Sequence, residues 1–283
     1  MMNYGSLYLV ATPIGNLNDI TYRAVETLKN SDLIACEDTR HSLKLLNHFD
    51  IQKPLTSYFE HNRKEKGEYI ISLIKEGKNV SLVTDAGTPA ISDPGEDLVK
   101  LCIEEGIKVV PVPGAVALIN ALIISGQNTG RFCFEGFLSV NKKSRIDHLN
   151  SLTDEKRTMI FYEAPHKLKK TLDDMAEVFG NRPISIVREI TKVHEECFFT
   201  TLNGAVDFYK DNIPKGEYVL VVAGKSDEEE EIENAEKYAS MSVKEHVDML
   251  IENGTDKKQA IKDVATLRGI PKRDVYNEYV REE

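Results

Sequence analysis

The apolar run Val80-Ser81-Leu82-Val83 ends in Thr84-Asp85-Ala86-Gly87-Thr88-Pro89-Ala90-Ile91-Ser92-Asp93-Pro94-Gly95. The run reads as a buried strand, and Glu96 to Gly106, opened by Pro94, reads as a helix. An acid followed by a glycine-proline turn fixes polar groups at the carboxyl edge of a sheet. In an open α/β sheet that edge is where ligands bind. The connection is longer and more specific in composition than a plain strand-to-helix link. A second turn of this kind lies near the amino terminus. There Leu7 to Ala11 is followed by Thr12-Pro13-Ile14-Gly15-Asn16-Leu17-Asn18-Asp19, then by the helical run Ile20 to Lys29. It holds one glycine rather than three, so it is not a dinucleotide fingerprint. Two such turns in one domain point to a ligand cleft.

The remaining pattern divides the chain into four parts. Residues 1–125 alternate short apolar runs (Leu33–Cys36, Val80–Val83, Val109–Val112, with Lys53–Phe59 a further candidate) with helical segments, which predicts a mostly parallel sheet. Val116 to Ile124 lacks a polar face and is expected to be buried. Residues 126–225 carry strands at Phe132–Leu138, Met159–Tyr162, Ile184–Val187, Cys197–Thr200 and Tyr218–Val222, with a helix over His166–Phe179. This part is expected to be α+β with several antiparallel neighbours. Residues 226–239 read as an acidic linker. Residues 240–283 hold three helical segments and resemble a helix-turn-helix module, with a glycine at 269 and a proline at 271.

Charge and cysteines limit the functions open to the chain. Of 283 residues 41% are hydrophobic, enough for a substantial core, yet no run is long enough to span a membrane. The formal charge is −10, but seven acids lie between Asp227 and Glu236, and without them it is −3. A local basic face is therefore compatible with the sequence. Cys36, Cys102, Cys133 and Cys197 are widely spaced, so neither a metal site nor a disulfide framework is expected. No signal peptide is apparent, and the expected location is the cytoplasm.

Several segments together resemble a known family. They are L-Y-L-V-A-T-P-I-G-N-L-N-D-I-T, A-C-E-D-T-R-H-S, D-A-G-T-P-A-I-S-D-P-G, V-P-V-P-G-A-V-A, F-E-G-F-L, F-Y-E-A-P-H-K and R-E-I-T-K-V-H-E-E, running from Leu7 to Glu196. The chain resembles the tetrapyrrole-methylase-like group of S-adenosylmethionine-dependent methyltransferases, and within it the enzymes acting on small-subunit ribosomal RNA. The resemblance implies a two-domain α/β fold with a small helical appendage, a methyl donor held in the cleft, and a homodimer. It also implies 2′-O-methylation of a cytidine ribose in 16S rRNA at the decoding centre. Two alternatives are a tetrapyrrole-type small-molecule methyltransferase and a non-catalytic ribosome-assembly protein that binds RNA.

The resemblance also implies roles for individual residues. Ile14, Gly15 and Asn16 match the first loop of the cleft; Asp85, Gly87, Thr88 and Pro89 match the turn that seats the donor. Val116 and Ala117 match a helix start touching the donor, and Tyr162 a strand end beside its adenosine. Arg188 and the Lys215-Gly216-Glu217 turn are further candidates. Asp85, Glu163 and Arg40 are the catalytic candidates, and the base that takes the hydroxyl proton stays open among Glu37, Asp38, His41, Asp85, Glu163, His166 and Glu195. Arg40 is suited either to a phosphate or to an internal ion pair. With His41, Lys142, Lys143 and Arg145 it makes up the candidate RNA contacts, the last three on a basic helix whose default role is a solvated face. The residues from 240 onward are expected to dock RNA, and a chain ending near Lys225 is expected to keep donor affinity and lose activity on ribosomal subunits.

Overall fold

The computed structural model describes residues 4–281, without the side chains of Glu236, Ala239 and Ser240. Five short strands, β1 (Ser6–Val10), β2 (Leu33–Cys36), β3 (Leu55–Ser57), β4 (Val80–Leu82) and β5 (Lys108–Val112), form an all-parallel sheet in the order β3-β2-β4-β1-β5. The connecting helices are α1 (Tyr22–Asn30), α2 (Thr39–His48), α3 (Arg63–Lys75) and α4 (Glu96–Glu104). Parallel strands are covered on both faces, which is why β2 and β4 are buried throughout. One face packs Leu7, Ile70, Leu82 and Leu98, the other Val10, Leu28, Ile34 and Val112.

Because β1 lies between β4 and β5, the turns that follow these three strands meet at one edge. Thr12 and Gly87 exchange backbone hydrogen bonds of 2.8 and 3.1 Å across the first two. Gly114, after β5, lies so close to Ala11 that a Cβ placed on it would come within 2.8 Å of the alanine methyl. Sequence and geometry agree here because each turn is specified locally, by its own glycine and proline.

The next helix, α5 (Ala117–Ile124), packs Leu118, Ala121 and Leu122 on a second sheet. That sheet is built from β6 (Phe132–Phe137), β7 (Thr158–Glu163), β8 (Pro183–Arg188), β9 (Glu196–Thr201) and β10 (Tyr218–Val222), in the order β6-β7-β10-β8-β9. Only β6 and β7 run parallel; the other pairs are antiparallel, as the pattern predicted. Helices α6 (Lys142–Ser151), α7 (Leu168–Phe179) and α8 (Leu202–Asp211) cover its other face around Leu149, Phe161, Leu172 and Leu220. The expectation that α5 is buried all round is corrected: Ile119 and Ile123 are 41% and 66% exposed. An apolar helix need not be enclosed; α5 has one sheet to pack on, and among the described residues no second layer covers Ile123.

Residues up to Gly224 form one unit and those from Lys225 a second. The expected linker at 226–239 is instead helical, as α9 (Asp227–Ser240). Ser226 and Glu229 form a reciprocal capping box, and Asp227, Glu228, Glu229 and Glu230 fill the first turn. Four acids there face the positive end of the helix dipole, so the charge that suggested a solvated linker supports a helix. Beyond it, α10 (Val243–Glu252), α11 (Lys257–Arg268) and α12 (Lys272–Arg281) pack around Val247, Ile261, Val264, Val275 and Tyr279. Gly269, left-handed at φ 64°, ends α11 and turns the chain into α12.

Candidate active site

The converging turns open into a cleft of about 480 Å³ within the first unit, a size that suits a ligand of nucleoside dimensions. One wall is built from Ile14, Asp85, Gly87, Thr88, Val116 and Ala117, all expected from the sequence; Tyr162 and Glu163 line it from β7. Thr88 donates to the Ala115 carbonyl at 3.2 Å, tying the β4 turn to the start of α5. The Tyr162 hydroxyl accepts from the Leu118 amide at 3.1 Å. Val116 makes no side-chain cap, so this phenol satisfies an otherwise orphaned helix donor. The same bond joins the second sheet to the helix that follows the first.

Gly87 is held at φ 86°, and a Cβ there would sit 3.2 Å from Ile14 Cγ2. Glycine thus lets backbone form the wall where a side chain would fill it. Four of the five non-glycine residues with left-handed backbone among the described residues are Ala90, Ser92, Glu189 and Thr191. They lie in the two loops that supply Ile91, Asp93, Ile190 and Lys192 to the cleft. Each costs on the order of 1–3 kcal/mol, and such strain concentrates at functional sites.

The cleft edge is acidic. Burial, with the nearby charges of Glu37 and Asp85, pushes the Asp93 carboxyl up to about 6. Burial and the Asp85 charge also raise Glu37, and Asp85 Oδ1 accepts the Asp38 amide at 3.3 Å. A cationic ligand entering here would meet negative charge in a partly desolvated setting.

Other expected site residues sit elsewhere. Gly15 is outside the lining and abuts Lys192, whose Cγ a Cβ on Gly15 would approach to 2.4 Å. Asn16 is exposed and caps a single 3-10 turn over Leu17–Asp19. Pro89 is buried behind the turn, and Arg188 pairs with Glu196 at 3.1 Å. Glu163 is corrected as a catalytic candidate: its carboxylate accepts from Lys167 Nζ at 2.9 Å, the Ala164 amide at 2.8 Å and Thr171 Oγ1 at 2.5 Å. With its side chain 1% exposed and three donors on its two oxygens, it anchors the turn into α7 rather than facing a substrate. Arg40 is corrected likewise. Its side chain is 89% exposed, lies outside the cleft lining and pairs with Asp38 at 2.9 Å, the ion-pair alternative. That pairing holds Asp38 at about 2.

Lys142, Lys143 and His41 are exposed. Arg145 is not: it is buried, with Nε 2.5 Å from Asp174 Oδ2 and Nη1 donating to the Ser139 and Val140 carbonyls. It therefore cannot touch a phosphate, and its work is to fasten α6 to α7. Removing one partner of a buried pair strands the other charge. Arg145→Ala should lower unfolding stability by about 3–5 kcal/mol in urea denaturation, whereas Lys142→Ala and Lys143→Ala should leave it within ~0.5 kcal/mol.

Sequence reasoning missed Asp93, Phe137, Glu189 and Lys192 as lining residues. Lys192 bridges Glu189 at 2.8 Å and Glu217 at 2.7 Å. The segment R-E-I-T-K-V-H-E-E was visible, but the second acid lies 25 residues away on the turn before β10. Asp93 lay inside the segment first singled out, masked by the Asp85 beside the glycine.

Comparison with known proteins places the chain among methyltransferases. A sequence model of the family described as Tetrapyrrole (Corrin/Porphyrin) Methylases matches residues 6–205. "Ribosomal RNA small subunit methyltransferase I" of Halalkalibacterium halodurans is 52% identical over 279 residues, 98% of this chain and 96% of its own. The protein of that name in Thermotoga maritima is 47% identical over 221 residues, 78% of this chain but 99% of its own. A crystal structure of diphthine synthase superposes with a TM-score of 0.63 at 14% identity, covering 78% of this chain and 91% of its own, a likeness of fold.

Proposed function

The chain belongs to the tetrapyrrole (corrin/porphyrin) methylase family, and on that premise we propose that it methylates the ribose 2′-hydroxyl of a cytidine in 16S rRNA, at the decoding centre. The observation that carries the substrate is 52% identity over 98% of the chain to a protein named for small-subunit ribosomal RNA. A tetrapyrrole substrate draws support from the family description alone.

The donor is S-adenosylmethionine, which supplies an electrophilic methyl group on a positively charged sulfur. The residues present fit it. The glycine cradle at Gly87 offers backbone to a ligand at close range, and Asp85 and Asp93 offer charge opposite a sulfonium. Ile14, Val116 and Ala117 give apolar wall, and Tyr162 gives an aromatic one. In-line transfer depends mainly on holding acceptor and donor at near-attack distance in a dry site, an effect that outweighs any one base. Asp93, which lines the cleft with its carboxyl raised to about 6 by burial, suits acceptance of the hydroxyl proton better than Glu163, which already accepts from Lys167, Ala164 and Thr171.

We read the enzyme as cytoplasmic and homodimeric. Support for the dimer is the apolar face Ile119, Ile123 and Ile124 on α5, 39–66% exposed. Among the described residues no helix is long and apolar enough to cross a membrane. Lys142 and Lys143, exposed and basic, are proposed RNA contacts, as is Arg40, which would exchange its Asp38 partner for a phosphate. The test of the reaction is incubation of purified chain with small ribosomal subunits and isotope-labelled donor, followed by digestion to nucleosides.

A further inference from the structure

The segment F-E-G-F-L carries an aromatic side chain, Phe137, to the cleft. In β6 the pairing with β7 shifts register between Phe134 and Gly136: Phe134 faces Ile160, Gly136 faces Phe161 and Phe137 faces Tyr162. Glu135 is the extra residue, and Gly136 takes the left-handed backbone, φ 66°, that the bulge needs. Without a bulge, Phe134 and Phe137 would point to opposite faces of the sheet. With it, both come to the Tyr162 ring, at centroid distances of 4.8 and 5.5 Å. Glu135 turns the other way, to His148 on α6 at 2.9 Å.

The bulge therefore spends a ladder irregularity to place one phenyl ring on the cleft wall. That ring stays 56% exposed, so its face is open to a ligand in the cleft it lines. Its position is nevertheless fixed. Tyr162 packs against it, and Lys167 Nζ lies 5.6 Å from its centroid, itself held by Glu163 at 2.9 Å and the Leu138 carbonyl at 3.2 Å. Gly136 neighbours Ser92, 3.8 Å from its ideal Cβ, so the Ser92–Asp93 loop and Phe137 border the same part of the cleft.

We propose that Phe137 is the stacking platform for the base of the acceptor nucleotide, a nucleobase subsite that adjoins the donor site across the Tyr162 ring. An aromatic face suits an unpaired base turned out of its strand, since every base presents a π-face. The inference rests on the RNA-methylating reading above. It gives Tyr162 two tasks, capping α5 through its hydroxyl and backing the platform with its ring.

The test compares the full chain with Phe137→Ala, Phe137→Leu and Phe137→Tyr, measuring methyl transfer to small ribosomal subunits and, separately, donor affinity by calorimetry. Phe137→Ala and Phe137→Leu should raise KM for subunits about tenfold, equivalent to about 1.4 kcal/mol. Both should leave donor Kd within about twofold, and Phe137→Tyr should restore KM to within about twofold of wild type, because a ring is what the base needs. Leucine keeps apolar bulk at the rim, so its failure to rescue separates stacking from packing. Unchanged KM in Phe137→Ala overturns the platform while leaving the functional reading intact. A donor Kd that rises in step with KM also overturns it, by assigning the ring to the donor. Wild-type chain that transfers nothing to subunits removes the reading and the platform together.

Discussion

Gly87→Val should reduce affinity for S-adenosylmethionine at least 100-fold in a chain that still folds. Gly87 sits at φ 86°, where a side chain costs about 1–2 kcal/mol, and a β-branched one is the least tolerated. Its amide and carbonyl are both engaged with Thr12, so the backbone cannot rotate away without breaking the bridge between the β1 and β4 turns. A Cβ already stands 3.2 Å from Ile14 Cγ2, and the valine methyls would extend into the space the donor is proposed to occupy. The fold has a remedy the ligand lacks, since Ile14 can shift by a few tenths of an ångström while the wall itself becomes side chain. A melting temperature lowered by about 2–8 °C, with a native circular dichroism spectrum, would accompany the loss. Gly87→Ala should fall between. Unchanged donor affinity in folded Gly87→Val would show that this turn does not hold the donor.

The second large effect concerns the unit that begins at Lys225. A chain ending at Gly224 should fold, bind donor within about twofold of wild type, and methylate subunits with KM raised about tenfold or more. Lys257, Lys258, Lys262, Lys272 and Arg273 are exposed on α11 and α12, on a unit with its own core of Val247, Ile261, Val264 and Val275. Cationic side chains that neutralise phosphates give affinity that falls with salt, so the truncated chain should also show a shallower salt dependence. The loss is expected in KM, with turnover at saturating subunits retained, because the cleft lies wholly within the first unit. Unaltered KM and salt slope would remove RNA docking from residues 225–283.

What the sequence made legible was local. The turns after β1 and β4 announce themselves by glycine, proline and acid within a dozen residues, and Ile14, Asp85, Gly87 and Thr88 are found on the cleft wall for that reason. What it concealed depended on distant partners or on a device without a compositional mark. Arg145 looked like surface charge because Asp174, which buries it, is 29 residues away. Glu163 looked like a free acid at a helix start, although Lys167 and Thr171, one and two turns on, hold one oxygen each. The acids of α9 read as solvation and proved to be a helix start. Phe137 was hidden by strand periodicity itself: alternation assigns it to the face opposite Phe134, and only the bulge at Glu135 brings the two rings together.

The most direct test of the account is mass spectrometry of nucleosides from small ribosomal subunits treated with the purified chain and S-adenosylmethionine. Subunits lacking the modification should gain one methyl group, on the ribose 2′-oxygen of a cytidine in 16S rRNA, and none when donor is omitted. A methyl group on a base, or transfer to a tetrapyrrole with none to the subunit, would contradict it.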